Sequence, residues 1–221
     1  MAKKSIAFFD VDETLVDGNS GYYTTLRLVR HGILKKRRLF QAIYYSLANL
    51  FSHQDVHKIY RIAIADMAGM TLEHAFEIGR ECLEKDIKPR LYSKGIEQIR
   101  QHKEAGDVVI LLTSGPYMTI QPLSEYLGVD GFHASGPKIE NGILINELQL
   151  PLCYGEDKLH YAEESCRKYN IPLSACTFYS NDITDLKLLE KVKYPCAVNP
   201  HKDLEKIAKE RGWPVLRFDV K

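Results

Sequence analysis

Apolar residues gather in short runs along the chain, at residues 5–9 (SIAFF), 107–114 (DVVILLTS), 176–180 (CTFYS), 194–199 (YPCAVN) and 214–218 (PVLRF). Each run has the length and the aliphatic or aromatic character of a buried strand. Helix-like stretches separate most of them, the signature of an α/β fold built on a mainly parallel sheet. One interval breaks the rhythm. From about residue 19 to residue 88 no run suggests a strand; the pattern predicts several helices, punctuated by Gly32, Ser52 and Thr71, with Pro89 after the last. An all-helical insert at this point suggests a cap beside the sheet, dividing the chain into a core of residues 1–17 and 90–221 and a cap of residues 18–89. A second irregularity is KIENGILINELQL at residues 138–150, where Asn141-Gly142 between alternating apolar residues predicts a β-hairpin.

Bulk properties narrow the classes without choosing among them. A chain of 221 residues can bury one good core, or a core and a modest second unit. A formal net charge of +1 gives no overall pull toward nucleic acid or an anionic membrane, and 45% hydrophobic residues argue for a globular fold. The apolar run in MAKKSIAFFD is too short for a signal peptide or a spanning helix. The five cysteines (Cys82, Cys153, Cys166, Cys176, Cys196) show no metal-binding spacing and read as reduced thiols of a cytoplasmic protein.

In open parallel sheets ligands sit at the carboxyl ends of the strands. The first strand ends in Asp10-Val11-Asp12, whose two carboxylates point the same way and repel unless a cation or a proton compensates. The second ends in Thr113 and Ser114; Lys158 stands at a predicted helix start; a later strand ends in Asn181, Asp182 and Asp185. Taken singly, each has a bland explanation. Asp-x-Asp is often a turn and helix cap, Thr113-Ser114-Gly115-Pro116 is turn chemistry, Lys158 is a solvated lysine, and Asp182 and Asp185 suit a helix first turn. Together, at successive strand ends, they converge on one site.

In this order the fragments resemble the motifs of the haloacid-dehalogenase-like phosphatase superfamily: DxDxT after a first strand, an apolar strand ending in Thr or Ser, a lone Lys, then an acidic strand end. The resemblance covers nearly the whole chain, with the helical insert matching that superfamily's cap, and the tail YPCAVNPHKDLEKIAKERGWPVLRF is similar to the branch near phosphoserine phosphatase. It implies a Rossmann-like, doubly wound parallel sheet with an all-helical cap inserted after the first strand. It also implies roles. Asp10 would be the nucleophile that forms an aspartyl-phosphate, and Asp12 the general acid and then base, which requires its carboxyl to be partly protonated when substrate arrives. Thr113, Ser114 and Lys158 would bind the phosphoryl oxygens, and Mg²⁺ would be held by Asp10, the Asp12 carbonyl and the acidic strand end of Asn181, Asp182 and Asp185.

Two departures from the superfamily pattern stand out. Glu13 occupies a position where a glycine is commoner. The acidic strand end usually reads Gly-Asp with another Asp four positions after the first; here that spacing, counted back from Asp185, lands on Asn181, and Asp182 falls one residue later. Either the Asn181 amide ligates the metal, or the loop shifts and Asp182 does; the kept spacing favours Asn181.

Other signals carry less. His53 and His57 share a helix face, but SHQDVHKIY reads first as a Ser52 cap with Asp55 completing a capping box, and no third zinc ligand lies nearby. Residues 35–51, KKRRLFQAIYYSLANLF, read as a packed cap helix, with an interfacial helix meeting anionic lipid as the sharper alternative. The expected activity is hydrolysis of a small phosphorylated metabolite. ETLVDGNSGYY offers no acidic partner for a substrate amine, so phosphoserine fits poorly. A phospholipid-derived phosphate is the second substrate class, and a phosphotransferase or a non-catalytic binding module are the rival functions. A dehalogenase would need neither the second Asp nor the metal.

Overall fold

The computed structural model describes residues 5–35, 37 and 56–219. Eight strands form two sheets. The main sheet has the order β3-β2-β1-β6-β7-β8, with β1 at Ile6–Phe9, β2 at Val108–Pro116, β3 at Gly131–Ser135, β6 at Thr177–Ser180, β7 at Tyr194–Val198 and β8 at Val215–Leu216, every pairing parallel. The hairpin is formed by β4 (Pro137–Glu140) and β5 (Ile143–Leu148). Its turn residues Asn141 and Gly142 have φ of +49° and +77°, the positive pair that a two-residue turn between twisted strands demands.

Strand residues alternate between two apolar layers, which is why the central strands are apolar throughout. Ala7, Phe9, Val109 and Leu111 face one layer with Ile99 of α4 (Ser93–Ala105) and Ile120 of α5 (Tyr117–Leu127). Ile6, Phe8, Val108 and Ile110 face the other, with Ala162 of α6 (Lys158–Tyr169), Leu188 of α7 (Leu186–Leu189) and Leu204 of α8 (Lys202–Glu210). Helices on both faces make the sheet doubly wound and Rossmann-like. Successive strands run outward from β1 in one direction and from β6 in the other, so a crevice opens at the carboxyl ends of β1 and β6.

Between β1 and β2 the described residues hold helices and isolated bridges only: α1 (Ser20–Arg30), α2 (Val56–Ile64), α3 (Leu72–Cys82), which continues as a π-turn over Leu83–Ile87 and a 3₁₀ turn over Lys88–Arg90, and then α4. The Asn19 and Thr71 side chains accept from Tyr22 N and His74 N and so start α1 and α3. Buried Arg27 forks from α1 to Asp86 (2.6 and 2.9 Å) and to Glu81 (2.9 Å), fixing α1 against the turn. These helices share an apolar cluster (Leu28, Met67, Ala75, Ile78) with Met118 of α5 and Leu144 of β5. The hairpin also bonds to the helical part through its backbone: Gly69 N to Leu144 O (2.9 Å), Leu144 N to Met70 O (2.9 Å) and Leu72 N to Gly142 O (2.8 Å). The basic and aromatic run and the Ser52–Asp55 capping box, apart from Lys35 and Arg37, lie outside the described residues. Among the described residues no helix is long and apolar enough to cross a membrane.

The strands predicted at residues 5–9, 107–114, 176–180, 194–199 and 214–218 are all present, as is the hairpin; β3 is an addition, and β2 runs on through Gly115 and Pro116. The tightest joint between helical insert and core is α3 against α5. A Cβ on Gly79 would lie 1.8 Å from the Met118 carbonyl oxygen and 2.7 Å from its carbon, so only glycine lets these backbones meet. Gly79→Ala must push the helices apart, at a cost of about 2–3 kcal/mol for overpacking. Calorimetry should show Tm lowered by roughly 5–10 °C; an unchanged Tm would mean that α3 does not seat on α5 in solution.

Candidate active site

The carboxyl end of β1 brings its first acid into the crevice. Asp10 N still donates to Tyr179 O (2.9 Å), so the backbone follows the sheet while the carboxylate is buried. Lys158, the first residue of α6, places Nζ 2.6 Å from Asp10 Oδ1 and 2.8 Å from Asp185 Oδ2. Asp10, Lys158 and Asp185 are only 6%, 4% and 2% exposed, so the ion triad is largely removed from water. Ser180 Oγ, at the end of β6, donates to Asp185 Oδ2 (2.6 Å), and Thr14 Oγ1 donates to Asp10 Oδ2 (3.2 Å).

Asp12 is half-buried at the opening of α1. Ser20 N donates to its Oδ1 (2.8 Å), so the helix N-terminus points its positive end at this carboxyl. Thr113 is fully buried near the end of β2, and its Oγ1 accepts from Gly115 N (2.9 Å). The pairing of Phe9 with Leu111 sets the Thr113 stretch beside Asp10 and Val11. The Ser114 carbonyl accepts from the Tyr60 hydroxyl of α2 (2.6 Å), a direct bond from the helical insert to the motif strand. Ser20 Oγ is buried without a partner among the described residues, and it lies so close to Gly115 that a Cβ there would approach it to 2.5 Å.

Asn181 and Asp182 diverge. Asn181 is buried, with Oδ1 3.4 Å from Thr14 Oγ1 and therefore on the Asp10 side. Asp182 turns away. Its Oδ1 accepts from Thr184 N (2.7 Å), capping the short 3₁₀ turn Ile183–Asp185, and its Oδ2 is 3.4 Å from His201 Nδ1. The two residues thus share a loop but not an environment. His201, Thr14, Ser20 and Tyr60 are site residues that the motif reading did not assign. Thr14 was visible as the last letter of DxDxT, whereas Tyr60 comes from a helix whose sequence gives no sign of where its hydroxyl ends.

Burial dominates the electrostatics. It raises Asp10, against the opposing pull of Lys158. It raises Asp12 to about 6, with the Ser20 hydrogen bonds working against it. It raises Asp185 to about 6, again against Lys158. Burial would lower Lys158, but the Asp10 and Asp185 carboxylates outweigh it and hold the ammonium charged. Burial would also raise Asp182, yet His201 and Thr184 bring it down to about 2. The arrangement lets Asp12 be partly protonated in the slightly acid to neutral range while Asp10 stays beside a cation.

Three carboxyls, Asp10, Asp12 and Asp185, stand against the single ammonium of Lys158, so protons or a divalent cation must offset the surplus. Among the described residues no three His, Cys, Asp or Glu side chains converge as a metal cluster. The Thr14 hydroxyl lies 3.2 Å from Asp10 Oδ2 and 3.4 Å from Asn181 Oδ1, so a carboxylate and an amide oxygen flank one hydroxyl. Such an all-oxygen set suits a hard cation such as Mg²⁺, which keeps waters and needs few protein ligands. The residues present therefore fit Mg²⁺.

Comparison with known proteins bears on the family and the fold. A family model described as haloacid dehalogenase-like hydrolase matches residues 7–190. The chain is similar to a probable phosphatase of Mycobacterium tuberculosis, with 32% identity over 219 residues, spanning 97% of this chain and 76% of that one. Its fold is similar to that of a crystal structure of a protein with unknown function from Bordetella pertussis, with TM-score 0.88 and 24% identity over 99% of this chain and 100% of that one. A phospho-aspartyl intermediate analogue of phosphoserine phosphatase shares the fold at TM-score 0.65 and 18% identity, over 97% of this chain and 93% of that one.

The raised carboxyls make stability depend on pH with a definite sign. Asp12 and Asp185 titrate at about 6 in the folded chain. In the unfolded chain an Asp titrates at about 3.9, so the folded protein binds more protons between those values and loses stability as pH rises through them. The depressed Asp182 adds no slope above pH ~5, and His133, lowered by burial, opposes the two carboxyls as one group against two below its unfolded value near 6.5. His201, raised to about 10 chiefly by Asp182 and Glu13, contributes stability that is lost above its unfolded value near 6.5, a slope of the same sign as that of the two carboxyls. In EDTA, Tm measured by circular dichroism should therefore be higher at pH ~5 than at pH ~7.5. Asp185→Asn should flatten the difference, and Mg²⁺ should raise Tm most at the alkaline end. A metal-free profile that rises with pH would contradict the assignment.

Proposed function

The chain belongs to the haloacid dehalogenase-like hydrolases, and from that membership we propose a Mg²⁺-dependent phosphatase of small phosphorylated metabolites, of a branch similar to phosphoserine phosphatase, that works through an aspartyl-phosphate on Asp10. The observation that carries the reading is the buried contact of Lys158 with Asp10 and Asp185, with Asp12 held near pKa 6 on the same strand end.

An Asp10 carboxylate oxygen attacks phosphorus, and the bond from phosphorus to the substrate oxygen breaks. The leaving alkoxide takes the proton of the Asp12 carboxyl and departs as the alcohol. Water then attacks the phosphorus of the aspartyl-phosphate and gives a proton to the Asp12 carboxylate, and the Asp10–phosphorus bond breaks to release inorganic phosphate. Asp12 suits both steps because its pKa lies within reach of neutral pH. The Thr113 hydroxyl accepts from Gly115 N and so keeps its own proton for a phosphoryl oxygen. Lys158 supplies fixed positive charge where negative charge spreads in the transition state, and the Ser114 segment completes the phosphoryl cradle. Mg²⁺, held by Asp10, the Asp12 carbonyl and Asn181, would supply further neutralisation of the phosphoryl oxygens. The environment of Asp182, turned to Thr184 and His201, supports Asn181 as the ligand.

Tyr60 brings the helical insert onto the mouth of the crevice, where it would exclude water and shape the space for the leaving group. The five buried, unpaired cysteines fit a reducing cytoplasm.

With a generic aryl phosphate, Asp10→Asn should lower phosphate release by about three orders of magnitude or more. Asp12→Asn should still give a burst of aryl alcohol, because a good leaving group needs no proton, followed by slow turnover. EDTA should abolish release and Mg²⁺ restore it. Substantial turnover by Asp10→Asn would rule out the covalent route, and phosphate passing to an added alcohol in place of water would identify a phosphotransferase.

A further inference from the structure

Beside the ion triad stands a second set of charged side chains that the mechanism does not use. Glu13 has φ of +58°, in the left-handed region that a residue with a Cβ rarely adopts. Its Oε2 accepts from His201 Nε2 (2.7 Å) and from Asn181 Nδ2 (3.3 Å). Its carbonyl is within 3.5 Å of Asn199 Nδ2, and His201 N donates to Asn181 O (3.0 Å). The loops after β1, β6 and β7 thus close a ring around Asn181.

An asparagine amide is two-ended: Nδ2 only donates and Oδ1 only accepts. A carboxylate only accepts, so Glu13 selects the Nδ2 end and leaves Oδ1 on the side of Thr14 and Asp10. Thr14 has one hydroxyl proton, and Asp10 Oδ2 at 3.2 Å is closer to it than Asn181 Oδ1 at 3.4 Å. With the Thr14 hydroxyl donating to Asp10, the Oδ1 of buried Asn181 is left as an acceptor on the Thr14 side. An aspartate at this position would meet Glu13 as a like charge; an asparagine meets it as a donor.

We propose that Glu13, braced by His201, is a positioning residue that turns the Asn181 amide oxygen toward Asp10, so that a neutral amide serves as a ligand for the divalent cation. The inference rests on the reading of Asn181 as that ligand. It joins the two departures of this chain into one device: the residue that replaces a flexible glycine after Asp12 orients the amide that replaces a carboxylate after β6. Glu13 touches neither substrate nor cation. It acts through Asn181.

The test is calorimetric titration of Mg²⁺ alone into metal-free protein, with melting of each variant to confirm folding. Asn181→Ala should weaken Mg²⁺ binding by about tenfold or more. Glu13→Gly should weaken it by about tenfold while the metal-free protein still melts cooperatively, because relief of the left-handed backbone offsets loss of the exposed pair with His201. In an Asn181→Asp background, where a carboxylate has no wrong end, Glu13→Gly should leave binding equal or tighter. If Asn181→Ala weakens binding but Glu13→Gly keeps it within twofold of the parent chain, the positioning role is overturned and the ligand stands. If Glu13→Gly weakens binding equally in both backgrounds, Glu13 acts as a bare charge and the proposal fails. If Asn181→Ala leaves binding unchanged, the ligand reading itself fails, independently of Glu13.

Discussion

The structure turns on one buried ammonium. Lys158 holds Asp10 at the end of β1 and Asp185 in the turn after β6, two segments that meet only because the sheet is wound outward from both strands. A lysine so deeply buried would lose its proton in apolar surroundings; here two carboxylates keep it charged, and it in turn draws them together. The third carboxyl, Asp12, receives a helix N-terminus in place of a lysine. The acids therefore differ in their partners: Asp10 and Asp185 share Lys158, Asp185 also takes the Ser180 hydroxyl, and Asp12 faces a backbone amide at the start of α1.

Much of this was legible in the sequence, for physical reasons. The central strands are buried on both faces, so they appear as continuous apolar runs, and the Asn141-Gly142 turn demands two positive φ values that few other pairs tolerate. β3 escaped because GFHAS lies half-buried beside β2 at the end of the strand order, where glycine and histidine dilute the apolar signal. The charged triad was legible as residues but not as bonds; nothing in the spacing of Asp10, Lys158 and Asp185 says that one nitrogen contacts both acids. Glu13 was visible as an odd residue, and only the backbone showed that it stands in the conformation that makes glycine common there. Asn181 and Asp182 could not be separated by spacing alone, because a one-residue shift in a loop changes which side chain faces the crevice.

The helical insert is joined to the core by contacts of different hardness. Gly79 allows α3 to meet the backbone of α5, and the hairpin extends a backbone ladder onto the loop before α3. Those joints are main chain to main chain. The contact over the crevice is different: a phenol hydroxyl on the Ser114 carbonyl, one hydrogen bond that a rotamer change can release. The backbone joints are therefore harder to break than this single side-chain bond at the end of β2.

The two margins of the main sheet carry a consequence for self-association. β8 pairs with β7 over only two residues, and just past them the Asn199 side chain bonds both Phe218 N (2.9 Å) and Phe218 O (3.2 Å) on the β7 side, while Lys94 Nζ donates to the outward Arg217 O (3.1 Å). At the other margin β3 ends at Ser135, and the chain leaves through Gly136, whose carbonyl accepts from Gln149 N (3.0 Å) as the hairpin closes back on itself. Among the described residues both margins are short, five residues in β3 and two in β8. Short margins offer a neighbouring copy few open amides and carbonyls, which disfavours the edge-to-edge pairing through which sheets grow into fibrils.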